Sequence, residues 1–186
     1  MKMNLDPFDP ATLVRGTIAT AILFAVIAFF TRAKPKRILG VLAGSLPLIP
    51  MVLFYDTIAA HFRLWYYPSA PGGAPGPFAW YLSAALFYGA GLGLVGWRVI
   101  RRFGRPGLVG FLIVFALFGA TRDYIISSTM GGIEFGPGPI PYLADLFSYG
   151  SPAAVVQLVM YWIAGPADSD PLARTPRTQI KQGSRS

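Results

Sequence analysis

The chain has no cysteine and a single histidine, His61. Without cysteine there is no disulfide, no thiolate metal ligand and no cysteine nucleophile, and one imidazole cannot build a multi-histidine metal centre. Neither a metal site nor a cofactor is expected. Charge is scarce as well: 13% of residues are Asp, Glu, Lys or Arg, against about 25% in soluble domains, whose surfaces face water. Also missing are GxSxG, HExxH, the P-loop and a complete dinucleotide fingerprint, so serine hydrolase, zinc protease and nucleotide-driven pump have no motif behind them. No internal repeat is visible, which leaves an inverted-repeat transporter without support.

What the chain does have is apolar surface: 54% hydrophobic residues and a mean hydropathy of +0.51 over 186 residues. A helix needs about 20 mainly apolar residues to cross the hydrocarbon core. Five such stretches occur, at 11–31, 38–55, 77–97, 106–127 and 146–166. Backbone groups in lipid must pair internally, so these runs predict helices, and their lack of alternation excludes a barrel. The fold class is all-α, a polytopic membrane bundle of five transmembrane helices. The division is a short exoplasmic segment at 1–10, a transmembrane domain at 11–166, and a disordered basic cytoplasmic tail at 167–186.

The net charge of +8 follows the same map. Of the 16 Lys and Arg residues, all but Lys2, Arg15, Arg63 and Arg122 fall at 32–37, 98–105 and 174–185, each beside the end of an apolar run. This is the positive-inside pattern. It places the N-terminus outside and the C-terminus in the cytoplasm of a bacterial-type inner or plasma membrane. Basic residues are not interleaved with aromatics in a groove, so nucleic acid is not the expected partner; membrane lipids are. Arg32, Lys34, Lys36 and Arg37 follow the first run at once, where a signal peptide would have a small-residue cleavage site, so that run is expected to stay as a span. Aromatic belts are expected at Trp65, Tyr66, Tyr67, Trp80 and Tyr81 outside, and at Trp97, Tyr161 and Trp162 inside. The outer loops, 68–77 and 131–141, are rich in Gly and Pro.

Two packing signals stand out. Gly40 and Gly44 in the second run, and Gly89 and Gly93 in the third, form GxxxG pairs. They suit close helix packing within the chain, or a homodimer or membrane-protein partner. Pro47 and Pro50 remove backbone donors from the second run and predict a kink or a break there.

The acids supply the chemistry. With a rise of about 1.5 Å per residue, Asp56 lies roughly 27 Å and Asp123 roughly 24 Å from the cytoplasmic ends of their runs, and Asp145 opens the fifth run at a similar height. Arg63, Arg122, His61 and Glu134 fall on the same side. Ionisable groups at this depth are costly unless paired, which makes Asp56, Asp123 and Asp145 candidate catalytic carboxyls and Arg63, Arg122, Glu134 and His61 candidate binding groups. Neighbours in sequence point to different sides of a helix, so Arg122 and Asp123 are expected to find partners on other elements.

Three functions fit these features. The first is an accessory, structural or lipid-binding membrane subunit without chemistry of its own. The second is a membrane enzyme acting on a lipid or isoprenoid through exoplasmic-side carboxylic acids, one of which donates a proton. The third, a small-solute carrier, has no charged residue near the midplane to favour it.

Overall fold

The computed structural model describes residues 9–68, 70, 76–130 and 132–167. Most of the expected exoplasmic segment (1–8 of 1–10) and of the tail (168–186 of 167–186) lies outside the described residues, as do 69, 71–75 and 131 of the two Gly/Pro loops. The chain is mostly helical (82%). Five helices are long and apolar enough to cross a membrane: Pro10–Thr31, Pro35–His61, Phe78–Phe103, Arg105–Thr129 and Ile140–Ala164. The number and class of the spans are as the sequence predicts. The last begins six residues earlier than expected, so Asp145 sits inside it rather than opening it.

Local chemistry sets the boundaries. Helix α1 (Pro10–Thr31) starts with Pro10 in its first turn behind Asp9, whose carboxylate accepts from the Thr12 amide at 2.9 Å. Helices α2 (Pro35–Ser45) and α3 (Leu48–His61) form one span divided at Leu46 and Pro47. Pro47 supplies no amide hydrogen and Pro50 removes another one turn later, so the ladder cannot run through. The third span is compound too: α4 (Phe78–Ala84), a π-helical segment (Ala85–Gly91) and α5 (Leu92–Phe103). Then come α6 (Arg105–Met130) and α7 (Ile140–Ala164), with Pro152 inside α7. Between spans, β1 (Trp65–Tyr66) pairs antiparallel with β2 (Glu134–Phe135).

At the arginine-rich end the bundle is tightly packed. Val41, Ala90, Leu94, Trp97, Val156 and Met160 form a buried core among α2, the π segment, α5 and α7. Glycine permits the approach: a Cβ on Gly44 would lie 2.9 Å from the Val156 carbonyl oxygen, one on Gly40 would lie 3.3 Å from Met160, and one on Gly93 would lie 2.6 Å from Val41. Gly89 faces Ser45 in the same way. Both GxxxG pairs are thus covered by neighbours in the same chain. Gln157 donates to the Gly93 carbonyl at 2.9 Å, a buried polar tie between α7 and α5.

Above this core the helices lose regularity together. The α2/α3 break, the π segment and Pro152 lie close in height, since Ser45 meets Gly89 of the π segment and Gly44 meets Val156, one turn from Pro152. The space described next opens above this level, with Phe87 and Tyr88 of the π segment and Pro152 of α7 in its lining.

Gly44→Val is expected to lower the unfolding midpoint in detergent by the equivalent of about 1–3 kcal/mol, because rigid backbone stands where the new methyls would go. Gly110→Ala has open space around it; it should leave the midpoint unchanged or raise it by up to about 1 kcal/mol.

Candidate functional site

Beyond the packed core lies a half-enclosed cavity of about 440 Å³ to which all five spans contribute. Leu13 and Gly16 of α1, Leu48 and Val52 of α3, Phe87 of the π segment and Phe115 of α6 make an apolar wall. At the other end stand Asp56, Asp123, Asp145 and Arg122, with Trp65, Tyr67, Gly132 and Ile133 of the β1/β2 connections beside them. The three candidate carboxyls, spread over nearly ninety residues of sequence, therefore line one space.

Each acid has a different setting. Asp56 is buried, and its two oxygens accept from Trp65 Nε1 at 3.0 Å, Tyr81 Oη at 3.1 Å and Tyr67 Oη at 3.3 Å. Tyr81 is in turn fixed by the Gly76 amide, which donates to its oxygen at 3.0 Å. Tyr67 lies outside the spans; burial, with the nearby carboxyls of Asp56 and Asp123 adding to it, pushes its phenol well above the usual tyrosine range. It therefore remains a hydrogen-bond donor across the physiological range.

Asp123 is held differently. Arg122 Nε donates to its Oδ1 at 2.8 Å, and Arg122 Nη2 pairs with the same oxygen. Tyr149 Oη donates to Asp123 Oδ2 at 2.7 Å and accepts from Arg122 Nη2 at 2.9 Å, closing a three-residue ring. The expectation that Arg122 and Asp123 do not pair is thus corrected: the arginine side chain is long enough to fold back along its own helix, and Tyr149 of α7 anchors both groups. Gly119 makes this possible, since a Cβ there would run into the Tyr149 ring. The guanidinium also lies 5.0 Å from the Tyr88 ring.

Asp145 is the least satisfied. It is 3% exposed; Oδ1 accepts from Ser148 Oγ at 3.0 Å, and Oδ2 is buried with no hydrogen-bond partner. An oxygen left in this state inside an apolar wall demands an explanation.

The other candidates are not brought to the cavity. Arg63 is exposed, holds a positive φ of 54° just after α3, and makes no ion pair with the described acids. His61 is exposed and packs edge-on against Phe62. Glu134 accepts from Tyr66 across the β pair. The belt assignment also changes. Trp65, Tyr81 and Trp97 are buried, the first two as donors to Asp56, whereas Tyr161 and Trp162 are exposed as belt residues should be. The sequence signal for the Asp56 cage was the aromatic cluster itself, which reads equally as an interfacial anchor.

No family model, curated protein or solved structure matches the chain. Function therefore rests on the cavity. Among the described residues no group of His, Asp and Glu could hold a metal ion.

Trp65→Phe removes one donor to Asp56 and keeps most of the ring. We expect destabilisation by about 1–3 kcal/mol in detergent unfolding, with a smaller effect from Tyr67→Phe, whose bond is longer.

Proposed function

We propose that the protein is a membrane enzyme that takes one end of a lipid-soluble, alkene-bearing substrate, of isoprenoid type, into this cavity and acts on it with carboxylic acid groups. The single observation that carries the reading is the buried, unpartnered Oδ2 of Asp145 in a mainly apolar cavity shared with two other acids.

The cavity's charges do not balance from within. Three carboxyls face one guanidinium, and that guanidinium is committed to Asp123. The remaining charge must be met by protons or by a cation on the ligand, because uncompensated charges in a lipid-embedded site cost several kcal/mol each. A proton on Asp145 Oδ2 meets one of the two charges, leaving Asp56 to its three hydrogen-bond donors, and makes Asp145 the proton donor of the cavity. In the proposed step the proton passes from Oδ2 to one alkene carbon. A C–H bond forms from the π electrons, and the other carbon is left as a cation. The faces of Phe87, Tyr88, Phe115 and Trp80, all in the lining, suit such a cation. Loss of a neighbouring C–H proton to the carboxylate completes an isomerisation; attack on the cation by a second double bond of the substrate, followed by the same proton loss, completes a cyclisation; attack by water, whose extra proton goes to the carboxylate, completes a hydration. Neither route needs an oxidant, reductant or cofactor.

A volume of about 440 Å³ is in the range of small-molecule sites, roughly 300–1,000 Å³. It holds the end of a long chain, with the rest in the bilayer. The positive-inside distribution supports a site in the exoplasmic leaflet with the basic tail in the cytoplasm, in a membrane that we propose is a bacterial-type inner or plasma membrane. A lipid-binding subunit without chemistry would share the cavity and the proton on Asp145 but would not pass that proton to its ligand.

Single Asp→Asn variants separate the two, read by folded yield and by mass-spectrometric profiles of organic extracts from expressing cells. Asp145→Asn should fold at wild-type yield and reduce conversion by about 10²-fold or more. Asp123→Asn should lose yield, because Arg122 would keep its charge without a counter-ion, at a cost of about 3–5 kcal/mol. An unaltered extract profile for Asp145→Asn in a well-folded protein would overturn the enzyme reading.

A further inference from the structure

The opposite end of the bundle holds a second cavity, of about 470 Å³, that the proposed chemistry does not use. Arg37, Trp97, Leu108, Leu112, Leu158 and Tyr161 are among its walls. Trp97 is 1% exposed, yet its indole Nε1 has no hydrogen-bond partner; Nη1 of Arg101, one turn further along α5, is also buried without one. Trp97 is in the cavity wall, and Arg101, outside the lining, is its neighbour, with Cζ 5.0 Å from the Trp97 ring. Arg37 Cζ lies 5.5 Å from the same ring, and its guanidinium donates to the Gly165 and Pro166 carbonyls at 2.5 and 2.6 Å, which pins the end of α7 to the start of α2.

Two unsatisfied buried donors, one of them cationic, call for an acceptor, preferably an anionic one. The surroundings point the same way. Arg32, Lys34, Lys36, Arg98, Arg102 and Arg105 all stand at this end, while every acid among the described residues lies toward the other end of its helix or in the connections there. The cavity is also open to the lipid-facing surface. Leu158 is 46% and Tyr161 54% exposed at its rim, and Leu108 and Leu112 continue the apolar wall along α6.

We propose that this cavity is a binding site for an anionic phospholipid, whose phosphate accepts from Trp97 Nε1 and Arg101 Nη1 while an acyl chain lies along Leu108, Leu112 and Leu158. Basic pockets between transmembrane helices are suited to such headgroups. The apolar wall favours the lipid over free phosphate, which would gain nothing from it. The site is independent of the acid cavity, and its test does not depend on any activity there.

The full chain, purified and delipidated in neutral detergent, is titrated with phosphatidylglycerol or phosphatidylcholine of matched acyl chains and read by native mass spectrometry. The expected result is one tightly retained phosphatidylglycerol, preferred about tenfold over phosphatidylcholine. Arg101→Gln and Trp97→Phe should each erase that preference with an unchanged circular dichroism spectrum. Arg102→Gln, on the exposed side of the same helix, should keep it. Should Trp97→Phe fail to fold, Arg101→Gln against Arg102→Gln decides alone. Excess inorganic phosphate should not displace the lipid. Equal retention of the two lipids, equal behaviour of the two arginine variants, or displacement by phosphate would overturn the assignment.

Discussion

A carboxyl group set among apolar helices must find a donor, a cation or a proton, and one half of this bundle is organised around that requirement. Asp56 recruits an indole and two phenols, and in doing so ties the β1 connection and the start of α4 to α3. Asp123 is neutralised by its neighbour Arg122, but only because Tyr149 from α7 and the missing side chain at Gly119 let the ring of three close. Asp145 is the exception, with one oxygen served by Ser148 and the other bare. Structural demand is met at the first two acids. It is unmet at the third, which is where reactivity is most reasonably sought.

The cavity depends equally on what happens below it. Glycines at 40, 44, 89 and 93 bring α2, the π segment, α5 and α7 into contact at the arginine-rich end. The helices then cease to be regular at one level, through Pro47, the π segment and Pro152. A bundle of uniform helices packed this closely would fill its own interior. Interrupting three spans at one height lets α2, the π segment, α5 and α7 meet closely at one end, where the second cavity lies toward α6, and part at the other. The π segment also turns Phe87 and Tyr88 into the lining.

Five spans, the break near Pro47 and the common height of Asp56, Asp123 and Asp145 were legible in the sequence, because apolar length, proline chemistry and helical rise are local properties. Partner choice was not. Trp65 is nine residues from Asp56 and Tyr81 is twenty-five, and nothing local distinguishes an aromatic that caps a buried acid from one that floats at a headgroup. The Arg122–Asp123 pair was missed for a related reason: side-chain direction at the Cβ says little about where a long guanidinium ends. Arg63 and Glu134 lie in the connections beyond the helix ends and His61 is the last residue of α3, so a depth counted along a helix carries no information about which way they face. The two unpaired donors at Trp97 and Arg101 appear only once the helices are packed.

The most direct test of the central claim is to identify what occupies the acid-lined cavity. Protein purified from its membrane would be extracted with organic solvent and analysed by mass spectrometry beside a Val52→Trp variant, which fills the apolar wall. The account predicts one lipid-soluble, unsaturated species near one per chain in the wild type and its loss from the filled variant at equal folded yield. The same extract composition from both proteins, containing bulk membrane lipid alone, would contradict it.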